Sequence, residues 1–148
     1  MSSKQGVLIC LDLSPEGEKV LAEGVSLAKA LGTGVLLLHV AAPEPDFVGY
    51  DEGILTRDDR ARELRQEHSD LLALAERLSA EGVPAQALLI SGAITPVILE
   101  QAERHDVRLV VVGSHGHGAL HRFLIGSTTD AVVRRSPRTV VVVRALEA

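Results

Sequence analysis

The chain has 148 residues, a formal charge of −5 at pH 7 and a single cysteine, Cys10. A single domain of that length buries about 68–70% of its unfolded surface, so its core needs neither a disulfide nor a structural metal. The acidic balance counts against a general nucleic-acid surface, but leaves room for one phosphorylated small ligand held by local donors.

Apolar residues make up 46% of the chain, and only Phe47, Tyr50 and Phe123 are aromatic. The core is therefore built from Val, Leu, Ile and Ala. Valine-rich strands beside alanine- and leucine-rich helices suit an α/β sheet covered on both faces. Cys10 lies in the apolar run Val7-Leu8-Ile9-Cys10-Leu11 and reads as a small buried hydrophobe. Met1–Gly6 is followed by too short an apolar run for a signal peptide. No run approaches the roughly 18–20 apolar residues of a membrane span. The expected location is the cytoplasm.

Val7–Leu11 reads as a first buried strand. Ser14, Pro15 and Glu16 then fit the cap and first turn of a helix. Val20, Leu21, Val25, Leu27, Ala28 and Leu31 give that helix its apolar face, and Gly32 and Gly34 bracket its end. Val35–Val40 is the second strand. In residues 41–57, Pro43, Pro45, Gly49 and Gly53 break any regular element. This long loop, with Phe47 and Tyr50, is either a functional lid or partner surface, or a surface excursion with its aromatics tucked onto the core.

Residues 58–82 read as a long amphipathic helix ended by Gly82. Ala85–Ile90 is the third strand, and Thr95-Pro96 opens a helix to about His105. Leu109–Val112 is the fourth strand. A last helix runs from about Ser127 to Arg135, Ser136-Pro137 breaks it, and Thr139–Val143 is the fifth strand. Strand–helix alternation without repeat or linker predicts a single α/β domain over 1–148, a five-stranded doubly wound parallel sheet of Rossmann-like type. In such sheets ligands bind beyond the carboxyl ends of the strands, where strand order reverses. The turns after the first and fourth strands carry Asp12 and a glycine-rich stretch.

That stretch, GSHGHGALHRFLIGSTTD over residues 113–130, follows the fourth strand. Gly113, Gly116 and Gly118 let a backbone pass close to a ligand or take positive φ. Gly126-Ser127-Thr128 opens the last helix, whose N-terminus offers free N–H groups and a positive dipole end. Arg122 can arch over phosphates between the two ends. Turn glycines and a Ser or Thr cap also serve any strand-to-helix connection, and the stretch has no Gly-Lys-Ser/Thr ending.

Gly113-x2-Gly116-x9-Gly126-Ser127 resembles the ATP-binding signature of the universal stress protein family. Asp12-Leu13-Ser14, Leu37-Leu38-His39-Val40, Ser91-Gly92 and Ser136-Pro137-Arg138-Thr139-Val140 also fall, in order, where that family has them, so the resemblance covers essentially the whole chain. It implies ATP as cofactor, with Mg or Mn as the candidate accompanying cation. It implies that Asp12, with Leu11 beside it, lies near the nucleoside, and that Val40 lines the adenine pocket. Val112, Gly113 and Gly116 would line ribose and phosphates. Gly126, Ser127 and Thr128 would hold the phosphates, with His115, Arg122 and Thr129 completing the candidate set. It also implies a homodimer paired through Thr139–Val143 and a stress-linked regulatory or chaperone-like role.

Two positions depart from the family pattern. Leu13 stands where a permissive glycine is common, so the adenine-side turn is expected to differ slightly. Ser136-Pro137 stands where Cys-Pro is common, which removes a redox site. His115, His117 and His121 invite a metal reading, but they have no nearby cysteine or partner acid, and turn polarity near a phosphate is the plainer account. ATP hydrolysis needs a positioned water and charge stabilisation. No catalytic set for either is evident, so little hydrolysis is expected. A slow ATPase and a nucleotide-free, partner-binding dimer stand as the alternatives.

Overall fold

The computed structural model describes residues 5–13, 15, 17–41, 57–114 and 126–144. In chain order the elements are β1 (Gln5–Cys10), α1 (Gly17–Leu31), β2 (Gly34–Ala41), α2 (Arg57–Ala80), β3 (Ala85–Ser91), α3 (Ile94–Arg104), β4 (Leu109–Gly113), α4 (Ser127–Arg135) and β5 (Thr139–Val143). The five strands form one sheet in the order β3-β2-β1-β4-β5, with every neighbouring pair parallel. The doubly wound α/β sheet expected from the sequence is the observed fold.

The period-2 alternation of the strands divides the core in two. Val7, Ile9, Leu11, Val35, Leu37 and Val111 pack with α1 and α2 on one face. Leu8, Leu36, Leu38, Val110 and Val112 pack with α3 and α4 on the other. Strands buried on both faces must be apolar at every position, which is why they read as unbroken runs. Each fully buried Leu, Ile or Val contributes about 1.5–3 kcal/mol relative to exposure.

Three helices end on the same device. The N–H of Thr33, Val83 and Val107 reaches back to the carbonyl of Ala28, Leu78 and Ala102. Gly32, Gly82 and Asp106 sit at the left-handed position that this closure requires, with φ of 67°, 95° and 48°. Asp106 is tolerated there as a short polar residue, and its carboxylate accepts from Arg138 Nη1 at 2.9 Å.

α1 starts later than the sequence suggested. Leu13 takes φ 61°, and Glu18 N–H donates to the Pro15 carbonyl at 3.2 Å. The chain therefore makes a turn at Pro15, and the helix begins at Gly17 with Glu18 as its first-turn acid. Ser14 and Glu16 lie outside the described residues, as does all but the two ends of the 41–57 loop, with Phe47 and Tyr50.

Candidate functional site

The sheet grows outward from β1 in both directions, to β2 and β3 on one side and β4 and β5 on the other. The switch point is therefore the gap between the carboxyl ends of β1 and β4. The strand lengths deepen it. Cys10, the last residue of β1, pairs with Leu38, while β2 runs on to Ala41. Ile9 pairs with Val111, while β4 runs on to Gly113. The result is a notch with Cys10 and Leu11 at its floor, the end of β2 on one side and the end of β4 on the other.

Half-buried Val40 and buried Val112 both pack on the α3/α4 face, flanking this notch. Leu11 is buried on the opposite face. Its N–H donates to the Leu38 carbonyl, and its own carbonyl accepts from His39 Nδ1, both at 2.8 Å. The Leu11 peptide is thus pinned at both polar atoms just before Asp12. Asp12 is half-buried and turned toward the start of α1: a Cβ on Gly17 would stand 3.4 Å from its Oδ1. The left-handed Leu13 shows that the turn keeps a glycine-like conformation without a glycine. Burial pushes the Cys10 thiol from 9.0 up to about 12, so at neutral pH it stays a thiol and not a nucleophilic thiolate.

On the β4 side the two ends of the glycine-rich stretch meet. Gly126 N–H donates to the Ser114 carbonyl at 2.8 Å, and Ser114 N–H donates to the Val143 carbonyl at 2.8 Å. Buried Thr129 donates its hydroxyl to the Gly113 carbonyl at 2.5 Å. These bonds hold the N-terminus of α4 against the end of β4. Gly126 is the helix cap and carries no side chain to satisfy the first-turn N–H groups. Exposed Ser127 and half-buried Thr128 add hydroxyls there. Such an end, with its positive dipole, accepts anions. Gly126 sits at φ −59°, ψ 152°, and Gly113 is not among the positive-φ residues. Neither glycine is needed for backbone conformation.

The fold thus brings Leu11, Asp12, Val40, Val112, Gly113, Gly126, Ser127 and Thr128 to one end of the sheet. The hydroxyl of Thr129 faces inward, onto Gly113. His115, Gly116 and Arg122, and the histidines at 117 and 121, lie outside the described residues. Among the described residues no three His, Cys, Asp or Glu side chains come together as a metal set, and no helix is long and apolar enough to cross a membrane. Sequence reasoning assigned no role to His39 and Glu67, whose Nε2 and Oε2 lie 3.5 Å apart. The available signal was a lone histidine inside the apolar run of β2.

A doubly wound α/β protein with a helix start lacking a side-chain cap beside its switch point is the class that fold and site define. The family described as "Universal stress protein family" matches residues 5–144. A universal stress protein of Thermus aquaticus is 31% identical over 142 residues, covering 93% of this chain and 97% of its own. The solved structure of the hypothetical protein MJ0577 superposes with a TM-score of 0.79 at 24% identity, over 99% of each chain. A universal stress protein crystallised in complex with cAMP gives a TM-score of 0.70 at 20% identity, over 98% of this chain and 100% of that one. The chain belongs to the universal stress protein family.

Proposed function

We propose that this chain binds an adenine nucleotide, ATP, in the notch between the ends of β1 and β4, and acts as a stress-linked cytoplasmic regulator with little hydrolysis. The observation that carries this reading is the start of α4, without a side-chain cap and bonded to the end of β4 beside the switch point. A family member with cAMP bound adds support for the adenine class. Asp12 is the candidate partner of the ribose, and Val40 of the adenine ring. Val112 and Gly113 would flank ribose and phosphates. Gly126, Ser127 and Thr128 would receive the phosphates, with His115, Gly116 and Arg122 from the neighbouring segment. Thr129 holds the helix start in place. The described residues offer Mg or Mn no side-chain set of their own.

Backbone N–H groups and two hydroxyls hold the triphosphate similarly before and during phosphoryl transfer. Uniform binding of that kind gives affinity without rate. Calorimetric titration is expected to show ATP binding, and a phosphate-release assay a turnover well below ~1 s⁻¹. A faster rate that is lost on changing Asp12 or Ser127 would make the protein an enzyme, and no binding at all would remove the nucleotide reading.

Assembly follows from the other end of the sheet order. β5 is an edge strand with half-buried Val140, Val141 and Val142. Apolar edges invite pairing. The reading includes an isologous homodimer through Thr139–Val143. Light scattering at micromolar concentration is expected to give twice the chain mass, and a monomer would contradict it.

A further inference from the structure

The polar link from Leu11 through His39 to Glu67 has no role in the site as described so far. His39 lies on the same sheet face as Leu37, toward α2, and its side chain is 13% exposed. Nδ1 stands 2.8 Å from the Leu11 carbonyl, and Nε2 stands 3.5 Å from Glu67 Oε2. That carboxylate oxygen is sealed from solvent and has no hydrogen-bond partner. Both ring nitrogens therefore face acceptors, a carbonyl on one side and a carboxylate on the other.

A neutral imidazole carries one N–H. With Nδ1–H given to Leu11, the bare lone pair of Nε2 opposes Glu67 Oε2, and the buried oxygen stays unsatisfied. An imidazolium carries two N–H groups and satisfies both acceptors. Among the described residues, the polar contacts of His39 are those to Leu11 and Glu67. On β3 its register neighbour is Leu89. On α2, Arg60 pairs with Glu63 at 3.1 Å and Asp70 accepts from the Gln66 amide at 2.8 Å. At the β1 end, Asp12 is turned toward Gly17 of α1. Glu18 of α1 lines a hollow of about 710 Å³ between α1 and α2, together with Leu11, Leu13, Leu21 and Leu74. His39 and Glu67, which do not line that hollow, form a separate polar link between the Leu11 turn and α2.

We propose that His39 is a proton-responsive positioning residue for the nucleotide notch: as imidazolium it ties the Leu11 carbonyl to Glu67 and fixes the turn that carries Asp12. The proposal rests on the adenine-nucleotide reading above for its functional consequence. Protonation closes the second bond, to Glu67, and so anchors the ring and the Leu11 turn to α2; proton loss frees the ring from α2 while Nδ1–H stays on the Leu11 carbonyl. Histidine is the side chain suited to such a switch near neutral pH.

The test measures ATP affinity at roughly pH 6 and pH 8, a range that brackets histidine titration, for the wild type, Glu67→Gln and His39→Phe. The wild type is expected to lose at least about fivefold in affinity on going to the higher pH, the lower range of site-to-site coupling. In Glu67→Gln the amide N–H donates to Nε2 of the neutral ring, so the relay closes without the extra proton and this part of the pH dependence disappears. His39→Phe is expected to bind weakly at both values, likewise without this part of the pH dependence. Equal pH dependence in all three proteins would overturn the proposal. The nucleotide's own titration is common to all three and cancels in the comparison. A second readout needs no nucleotide: the backbone amide resonance of Asp12 in the free protein should follow the titration of the His39 ring, and should cease to do so in Glu67→Gln. An Asp12 amide that ignores the ring overturns the relay. An amide that follows it in a protein that fails to bind ATP supports the relay and removes only the nucleotide reading.

Discussion

Replacing Gly126 with valine is expected to abolish measurable ATP binding, a loss of about 100-fold or more, while the protein stays folded. The two halves of this expectation have separate causes. The backbone at Gly126, φ −59° and ψ 152°, lies in a region open to every L-residue. Exchanging glycine for an aliphatic residue at a helix cap costs about 1 kcal/mol. In a domain of this size that shifts the melting temperature by roughly 2–4 °C. The ligand is affected far more. A branched side chain at the cap stands beside the first-turn N–H groups of α4, where the proposed phosphates approach. Hydrogen bonds to a charged group contribute about 1.5–3 kcal/mol each, and every 1.4 kcal/mol is tenfold in affinity. Losing two of them is enough for the expected effect. Gly126→Ala, with its smaller side chain, should fall between valine and wild type. Titration calorimetry reads the affinity, and thermal unfolding reads the fold. Unchanged affinity in a folded Gly126→Val protein would mean that the nucleotide does not sit at the start of α4.

The strands and the switch point were legible because a strand covered on both faces leaves an unbroken aliphatic trace. Leu109–Val112 and Thr139–Val143 are such traces, and Gly113 after the first marks where the chain leaves the sheet. The start of α1 was not legible. Ser14, Pro15 and Glu16 have the composition of a helix entry, but Leu13 turns left-handed before them. Leucine does not announce positive φ as glycine does, since its Cβ makes that conformation costly by about 1–2 kcal/mol. At the site, Asp12, Gly113, Gly126, Ser127 and Thr128 could be placed from their positions at strand and helix ends, and Val40 through the family resemblance. The inward hydroxyl of Thr129 could not, because its acceptor is a backbone carbonyl across the turn. His39 was hidden for the same reason: its partners, Leu11 and Glu67, are remote in sequence and meet only in the folded chain.

The largest change in stability is expected where α1 rides on β1. Ile9 is fully buried in the central strand, directly beneath Gly24. A Cβ on Gly24 would stand 2.5 Å from Ile9 Cδ1 and 2.7 Å from Cγ1, so the isoleucine fills the space a side chain at 24 would need. Ile9→Ala strips that side chain to a methyl and leaves a cavity, for which about 2–5 kcal/mol is expected. Gly24→Ala in the wild type gains up to about 1 kcal/mol of helix propensity. It also overpacks the contact, which costs about 1–3 kcal/mol, so the net effect is destabilising. In the Ile9→Ala background the same change meets open space. The methyl partly fills the cavity, the propensity gain is realised, and Gly24→Ala becomes stabilising. The sign of one substitution therefore reverses with the residue beneath it, with a coupling of about 1–3 kcal/mol. Urea unfolding of the four proteins measures the cycle. If Gly24→Ala has the same effect in both backgrounds, the height of α1 on the sheet is not set at this contact. If the sign reverses, the Ile9–Gly24 contact sets how closely α1 approaches β1, and so where Gly17 meets Asp12 at the edge of the notch.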